Sequence, residues 1–409
     1  MQSVAIFDDG RGLLSPLTDL RACFDIRTGA LTTLERLALH ARRHDLPQPD
    51  ALFVPEALAD LTREKHLMLR VNDPATLAAG VLLVNGACPL NDTDSTGVEL
   101  GEAIVDSASG TIIKAHIHTD RAAIHRVLAG DASGLKVHAV SNTHTLSRPW
   151  HIRAHRDACI AADLAALADT FSSTPPPPHS SIPRLHIAAS AIIHPSVIFD
   201  TEPGPIVIAD HAIIRPGAII VGPAYIGPNS SVLERSLIKS NTAIGPYCKV
   251  AGEIGGTIFQ GYANKSHEGH LGDSYIGEWA NLGAGTTNSN LLNTYGDIIC
   301  RPLRTPPVPG GPPNEHTGQQ FLGATIGDHV KTAICTRIMT GAIVGTGTMF
   351  AASTPLSGTI PPLSWITDSG TKPFAADKFV EIARTVMARR KVAMSAAYLG
   401  RLRELAGSR

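Results

Sequence analysis

The sequence predicts an α/β domain at the N-terminal end, a parallel β-solenoid after it and a helical tail. Three observations carry this: short apolar runs alternating with helix-patterned stretches up to residue 171, a proline-rich break from residue 172, and a six-residue period beyond it.

The chain has 409 residues, of which 43% are apolar, 5% aromatic and 17% charged, which is enough for more than one domain and too apolar for a disordered chain. Its 35 Lys and Arg against 36 Asp and Glu leave a formal charge of −1. So even a balance offers no long-range field for nucleic acid or an anionic membrane, and neither is expected as a partner. Cys23, Cys88, Cys159, Cys248, Cys300 and Cys335 are scattered without a C-x-x-C pair, so reduced buried thiols are expected. The first residues lack a basic stretch followed by an apolar run, and no stretch of about 18 apolar residues occurs. A cytoplasmic protein is the expectation.

Within residues 1–171 strands are expected at Val4–Phe7, Ala51–Val54 and Val81–Val84, and helices at Leu31–Arg43 and Asp157–Thr170. Residues 172–184, with Pro175 to Pro178 in a row, prefer an extended conformation and read as a linker.

From Val207 to Ile254 the chain divides into eight blocks of six without a gap. The second position of each is Ile208, Ile214, Ile220, Ile226, Val232, Ile238, Ile244 or Val250, and four residues on stand Ala212, Ala218, Ala224, Ser230, Ser236, Thr242 and Cys248. A β-branched residue pointing to the axis of each flat segment, and a small one near each corner, explain a period that neither helix nor simple strand produces. The pattern shifts near Gly255-Gly256, resumes with Ile276 and Leu282, and returns with Ile326, Ile338, Val344 and Phe350. Between the last two sections, Arg301–Gln320 is rich in Pro and Gly and reads as a loop leaving one corner. The solenoid is placed at 185–366 and the tail at 367–409. Within the tail, Phe374–Ala406 is expected to form two helices interrupted near Gly400. Its Ala383, Met387, Arg389, Arg390 and Lys391 either cap the solenoid, face a partner or form a solvated amphipathic surface.

The densest polar run interrupts the repeat, Gly261-Tyr262-Ala263-Asn264-Lys265-Ser266-His267-Glu268-Gly269-His270-Leu271-Gly272-Asp273, followed by Ile276-Gly277-Glu278-Trp279-Ala280-Asn281-Leu282-Gly283-Ala284-Gly285-Thr286-Thr287-Asn288-Ser289-Asn290. The run holds two imidazoles, His267 and His270, side chains of the kind that pass protons in catalysis. His267 and His270 also supply two of the three protein ligands a catalytic zinc needs, or are simply solvated loop residues. Gly283 and Gly285 suit tight corners.

These motifs resemble the acetyltransferase half of the bifunctional N-acetylglucosamine-1-phosphate uridyltransferase and glucosamine-1-phosphate acetyltransferase family. The closer similarity is to a divergent sugar nucleotidyltransferase branch that carries N-K-x-H-x-G-x-L-G-D-S-x-I-G-E-W. The resemblance implies a left-handed triangular β-helix and a homotrimer with the coenzyme pocket between prisms. It implies acetyl-CoA as acyl donor and the amine of a phosphorylated amino sugar as acceptor. It makes His267 the general base, assigns Arg215, Lys249, Lys265, His270, Asn281 and Asn290 to substrate binding, and lays Ala284 against the coenzyme. His270 and Leu291 stand where the better-known members have tyrosines that contact the sugar, which leaves the sugar unassigned.

The first half is similar to the shortened nucleotidyltransferase domain of that branch in Phe7-Asp8-Asp9-Gly10, Leu17-Thr18-Asp19-Leu20-Arg21 and Asp25-Ile26-Arg27-Thr28-Gly29. The similarity implies nucleotide contacts at Gly10, Arg11, Gly12, Arg21, Arg27 and Asn85, and a nucleotide sugar such as UDP-N-acetylglucosamine as product. The metal-holding aspartate of the family's G-D-x-P-L step is absent from Asn85-Gly86-Ala87-Cys88-Pro89-Leu90, so Mg²⁺ would fall to Asp8 or Asp9. Two other readings stand beside these: a non-catalytic solenoid scaffold that binds a nucleotide sugar, and a zinc enzyme like the gamma-type carbonic anhydrases.

Overall fold

A computed structural model describes residues 3–77, 80–91, 98–141, 144–168, 170, 182–303 and 313–407. Most of the expected linker, up to residue 181, and part of the expected loop, residues 304–312, lie outside the described residues.

The chain forms two compact units. In the first, strand Ser3–Phe7 pairs in parallel with Ala51–Phe53 on one side and Gly80–Asn85 on the other, in a seven-stranded sheet. Arg70–Val71 continues the parallel side, while Ile112–His118 pairs antiparallel to Gly80–Asn85 and leads to Glu102–Asp106 and Lys136–Val140. All five residues of Ser3–Phe7 are buried, as a central parallel strand covered on both faces requires. Helix Thr33–Arg43 starts where Thr32 and Glu35 cap it reciprocally, Glu35 N–H donating to the Thr32 hydroxyl at 3.2 Å and Thr32 N–H to the Glu35 carboxylate at 2.8 Å. Strand order reverses between Ser3–Phe7 and Gly80–Asn85, which puts Asp8-Asp9-Gly10 and Gly86 at the carboxyl ends of neighbouring strands. Ligands of open α/β sheets bind at such switch points.

The second unit holds residues 148–409 together with 13–19 and 27–30. Helix His151–Ala168, which precedes the proline-rich segment and begins earlier than the expected Asp157, packs here against strands Ile206–Ile208 and Ala224–Ile226. The rest is a three-faced parallel β-helix of the left-handed hexapeptide class. One long face stacks nine strands from Leu185–Ile187 to Thr359–Ile360. A second face runs Ile192–Ile193, Ile213–Ile214, Ser231–Val232, Lys249–Val250 and Asn264–Lys265, and bridges carry it on through Asn281 and Lys331. We call this the Asn281 face. The third, the His270 face, runs Ile198–Asp200, Ile219–Val221, Leu237–Ile238, Glu253–Gly255 and His270–Gly272.

The β-branched residues of the eight repeats all point inward, none more than 1% exposed, and the small corner residues are buried with them. Each aliphatic side chain so buried contributes about 1.5–3 kcal/mol, so the column is the main source of the prism's stability. The corner between the long face and the Asn281 face carries Tyr247, Tyr262, Trp279 and His329 with φ of 58°, 53°, 61° and 58°. Their rings stack at centroid distances of 4.7, 4.3 and 6.2 Å, which offsets part of the cost of left-handed backbone at non-glycine residues.

A short antiparallel pairing joins Ile299–Cys300, just before the expected loop, to Glu315–His316 within it, and Arg148 braces it through Glu315 at 2.7 Å. The tail differs from expectation. Residues 367–373 still belong to a β-hairpin, and the helices Ala376–Ala388 and Ala396–Gly407 break at Arg389–Ser395, where Lys391 has φ 59°, leaving Gly400 inside the second helix. Ala383 and Met387 are buried, and Phe379 packs edge-on against His329 at 5.7 Å, so the first tail helix covers that corner of the prism. Five cysteines are buried as expected, but Cys335 is exposed at a corner. No helix of the described residues is long and apolar enough to cross a membrane.

Candidate active site

His267 lies on the corner that turns the Asn281 face into the His270 face, and it is exposed to solvent. The corner is thin because its neighbours are glycines. Gly269 has φ +115°, and a Cβ there would collide with the Thr286 carbonyl of the next coil. Ala284 sits on that next coil, with its carbonyl accepting from Cys335 N–H at 2.6 Å. His267 and Ala284 are therefore on adjacent coils of one edge, about 5 Å apart along the axis.

The His270 face, which starts from this edge, carries a groove of about 370 Å³ toward its far end. Arg156, Lys239, His270, Asp273 and Asn290 line it. Glu253 stands in strand register with His270. Its carboxylate lies 3.5 Å from His270 Nδ1, and Lys239 Nζ reaches the same carboxylate at 3.3 Å. Gly272 leaves the floor open: a Cβ there would lie 2.6 Å from His270 Nε2 and 2.8 Å from Asn290 Nδ2, so both polar groups lean over it. Asn290 Nδ2 donates to Asp273 Oδ2 at 2.7 Å, while Asp273 Oδ1 takes Arg153 at 2.8 Å and Arg156 at 2.7 Å. Asn288, buried below, replaces a missing stretch of strand pairing. Its Oδ1 accepts from Gly272 N–H at 2.8 Å and its Nδ2 donates to the Gly272 carbonyl at 2.9 Å.

On the Asn281 face, Lys249, Asn264, Asn281 and Lys331 follow one another in register. Asn264 Nδ2 donates to Asn281 Oδ1 at 3.4 Å, and Arg390 from the tail donates to Asn264 Oδ1 at 2.8 Å. Burial lowers the Lys331 amine to about 8, and its Nζ donates to the Trp279 carbonyl at 3.0 Å.

The structure thus puts His267 and Ala284 on one edge, His270 on the face that starts from it, Asn290 beside Asp273 at the far end of that face, and Lys249 and Asn281 on the adjoining face. Two expected substrate contacts do not join them. Lys265 is 1% exposed and points into the prism, because it occupies the inward position that Val250 fills one coil below. Arg215 is exposed and paired with Glu234 at 2.9 Å, three coils from His267 on the same edge, or about 14 Å along the axis. Sequence reading passed over Arg156 and Lys239, and gave Asp273 and Arg390 no role at the site. The Leu271-Gly272-Asp273 step was the one local signal, and the others reach the site from distant segments.

For a zinc reading, no group of three His, Cys, Asp or Glu side chains able to hold a metal occurs within the chain among the described residues.

In the first unit Gly10, Arg11 and Gly12 form a surface-accessible turn at the switch point. Asp8 Oδ1 accepts from Gly10 N–H at 2.9 Å and Oδ2 from Cys23 N–H at 2.7 Å, and Asp9 Oδ1 accepts from Arg11 N–H at 3.0 Å. Burial pushes both carboxyl pKa values up. Three expected nucleotide contacts are corrected by their burial. Asn85 is fully enclosed; its amide accepts from Ala87 N–H and donates to the Ile112 carbonyl, both at 2.9 Å, and it also hydrogen-bonds Asp9. Arg21 is 5% exposed. Arg27 is equally buried, and within the second unit it bonds to Ala30 and Gln260. Asp8 and Asp9 are the carboxylates of this turn that could hold Mg²⁺; each Asp8 oxygen accepts one main-chain N–H, and position 85 offers an amide in place of an aspartate.

Residues 4–170 match the sugar nucleotidyl transferase family. The bifunctional protein GlmU of Corynebacterium glutamicum is 28% identical over 285 residues, covering 66% of this chain and 48% of that protein. The chain is also 31% identical over 156 residues to the bifunctional sugar-1-phosphate nucleotidylyltransferase/acetyltransferase of Sulfurisphaera tokodaii, covering 35% of the chain and 34% of that relative. Among solved structures, the Francisella novicida UDP-N-acetylglucosamine acyltransferase aligns at 13% identity and a TM-score of 0.21, over 53% of this chain and 77% of that one. The chain spans less than half the length of the curated relatives it matches.

Proposed function

We propose that the solenoid transfers an acyl group, most simply acetyl, from coenzyme A to the amine of a phosphorylated amino sugar. One observation carries the reading: an exposed His267 on a glycine-thinned corner, with Ala284 on the adjacent coil and a polar groove on the neighbouring face. In the reaction the amine nitrogen bonds to the thioester carbonyl carbon, the carbon–sulfur bond breaks and the thiol leaves. His267 takes the proton that the amine loses. His270 and Asn290 face the acceptor's hydroxyls from the groove, and Lys249 and Asn281 serve the adjoining face. A homotrimer would set a second prism against this edge and complete the coenzyme pocket. The cytoplasm is the proposed compartment, in keeping with five buried free thiols.

The family match over residues 4–170 and the Asp8-Asp9-Gly10 turn at a switch point favour a second activity, nucleotidyl transfer to a nucleotide sugar. The test is paired. Thiol release is followed with acetyl-CoA and glucosamine 1-phosphate, and pyrophosphate release with UTP and N-acetylglucosamine 1-phosphate. Thiol release that disappears in His267→Ala supports the first reading. Silence in both assays favours a nucleotide-sugar-binding scaffold.

A further inference from the structure

We infer that Lys265 is an internal positioning residue whose ammonium group, from inside the prism, holds the 266–269 corner in the shape that presents His267. The inference rests on the acyl-transfer reading only for what His267 does; the clamp itself is independent of it.

The inward column of the Asn281 face is otherwise aliphatic below this level, with Ile214, Val232 and Val250 at 0–1% exposure. Lys265 breaks it at the coil that carries the histidine. Burying an amine among aliphatic side chains is costly unless its donors are met, and here all three are. Lys265 Nζ donates to the Ala251 carbonyl at 3.2 Å, the His267 carbonyl at 2.8 Å and the Glu268 carbonyl at 3.2 Å. The first anchors it to the coil below. The other two belong to the corner itself, and without the lysine they would face an apolar interior unpaired.

The corner has little other room to adjust. Gly252 below has φ +83°, and a Cβ there would lie 3.0 Å from the His267 carbonyl, while Gly269 presses on Thr286 above. Lys265 therefore fills the one side of the corner that backbone does not. Burial lowers its pKa to about 8, with the Glu268 charge acting in the opposite sense. A base displaced by about 1 Å can lose roughly 100-fold in rate, so a corner held from within bears directly on turnover.

Acetylation of lysines by N-hydroxysuccinimide acetate on the full wild-type chain, read by mass spectrometry, tests the burial without a variant. Lys265 is expected to react at least ~10-fold more slowly than exposed Lys249. Equal rates overturn the inference. Hydrogen exchange then compares wild type with Lys265→Met, which keeps the volume and removes the donors. Peptides over 262–273 should exchange at least ~10-fold faster in the variant, with strands 206–250 unchanged. Equal exchange over 262–273 overturns the clamp, whether or not the chain proves to be an acyltransferase. Where thiol release is detected, Lys265→Met should lower kcat about 100-fold and change the acceptor KM less than about threefold, with partial recovery in Lys265→Arg. A change in KM alone would overturn the positioning role.

Discussion

Asn290 Nδ2 donates to Asp273 Oδ2 at 2.7 Å, and the other Asp273 oxygen binds Arg156 from a helix more than 100 residues earlier in the chain. One carboxylate thereby fixes a groove amide and ties helix His151–Ala168 to the His270 face. Arg156 is only 4% exposed, so this ion pair is largely dry.

Removing that carboxylate leaves the buried Arg156 with the exposed Asp157 as its counter-ion. Asp273→Asn is expected to destabilise the second unit by about 3 kcal/mol, read as a lower urea midpoint at unchanged slope. An unchanged midpoint would contradict the bridging role.

Asn290→Ala removes the groove amide while leaving Asp273 its arginines. We expect the acceptor KM to rise about 10-fold and kcat to change little, as loss of one hydrogen bond to substrate predicts. Steady-state kinetics with varied acceptor checks this.

His267→Ala touches an exposed side chain, so the melting temperature should stay within about 2 °C of wild type while thiol release falls roughly 10²–10⁴-fold. A variant that keeps its activity removes the proposed base.

Stability should depend on pH through Lys265. Its native pKa of about 8 lies below the usual 10.5, so between these values the unfolded chain binds more protons and stability rises with pH. Above 10.5 both states are neutral and below about 8 both carry the charge, so the rise is confined to this window. Denaturant titrations should therefore show the wild-type minus Lys265→Met difference growing across this window, by at most about 1.4 kcal/mol per pH unit. A flat difference would refute the shift.

Tyr262 stacks between Tyr247 at 4.7 Å and Trp279 at 4.3 Å. Tyr262→Ala interrupts this ladder at a left-handed corner and is expected to cost about 1–3 kcal/mol by thermal unfolding. A loss near zero would mean that the rings are spectators.

The prism was readable in the sequence because its code is local. A β-branched residue every sixth position must point inward if the segment is flat, and each of the eight does. The edge that carries His267 and Ala284 was readable too, as a Gly-rich interruption of that code. Which residues share a groove was not, because stacking coils and docking a helix bring together side chains such as Arg156, Lys239 and Asn290 that are far apart in the chain. The same physics reversed the role of Lys265. Its motif marked it for a substrate, but the strand alternation that turns Val250 inward turns the next member of the column inward as well. Neighbouring residues alone therefore specify the repeat, the α/β layer and the corner histidine, since each follows from spacing along the chain. Whether a polar group meets solvent or is enclosed depends instead on the coils and helices that come to cover it, and those arrive from remote segments only when the chain folds.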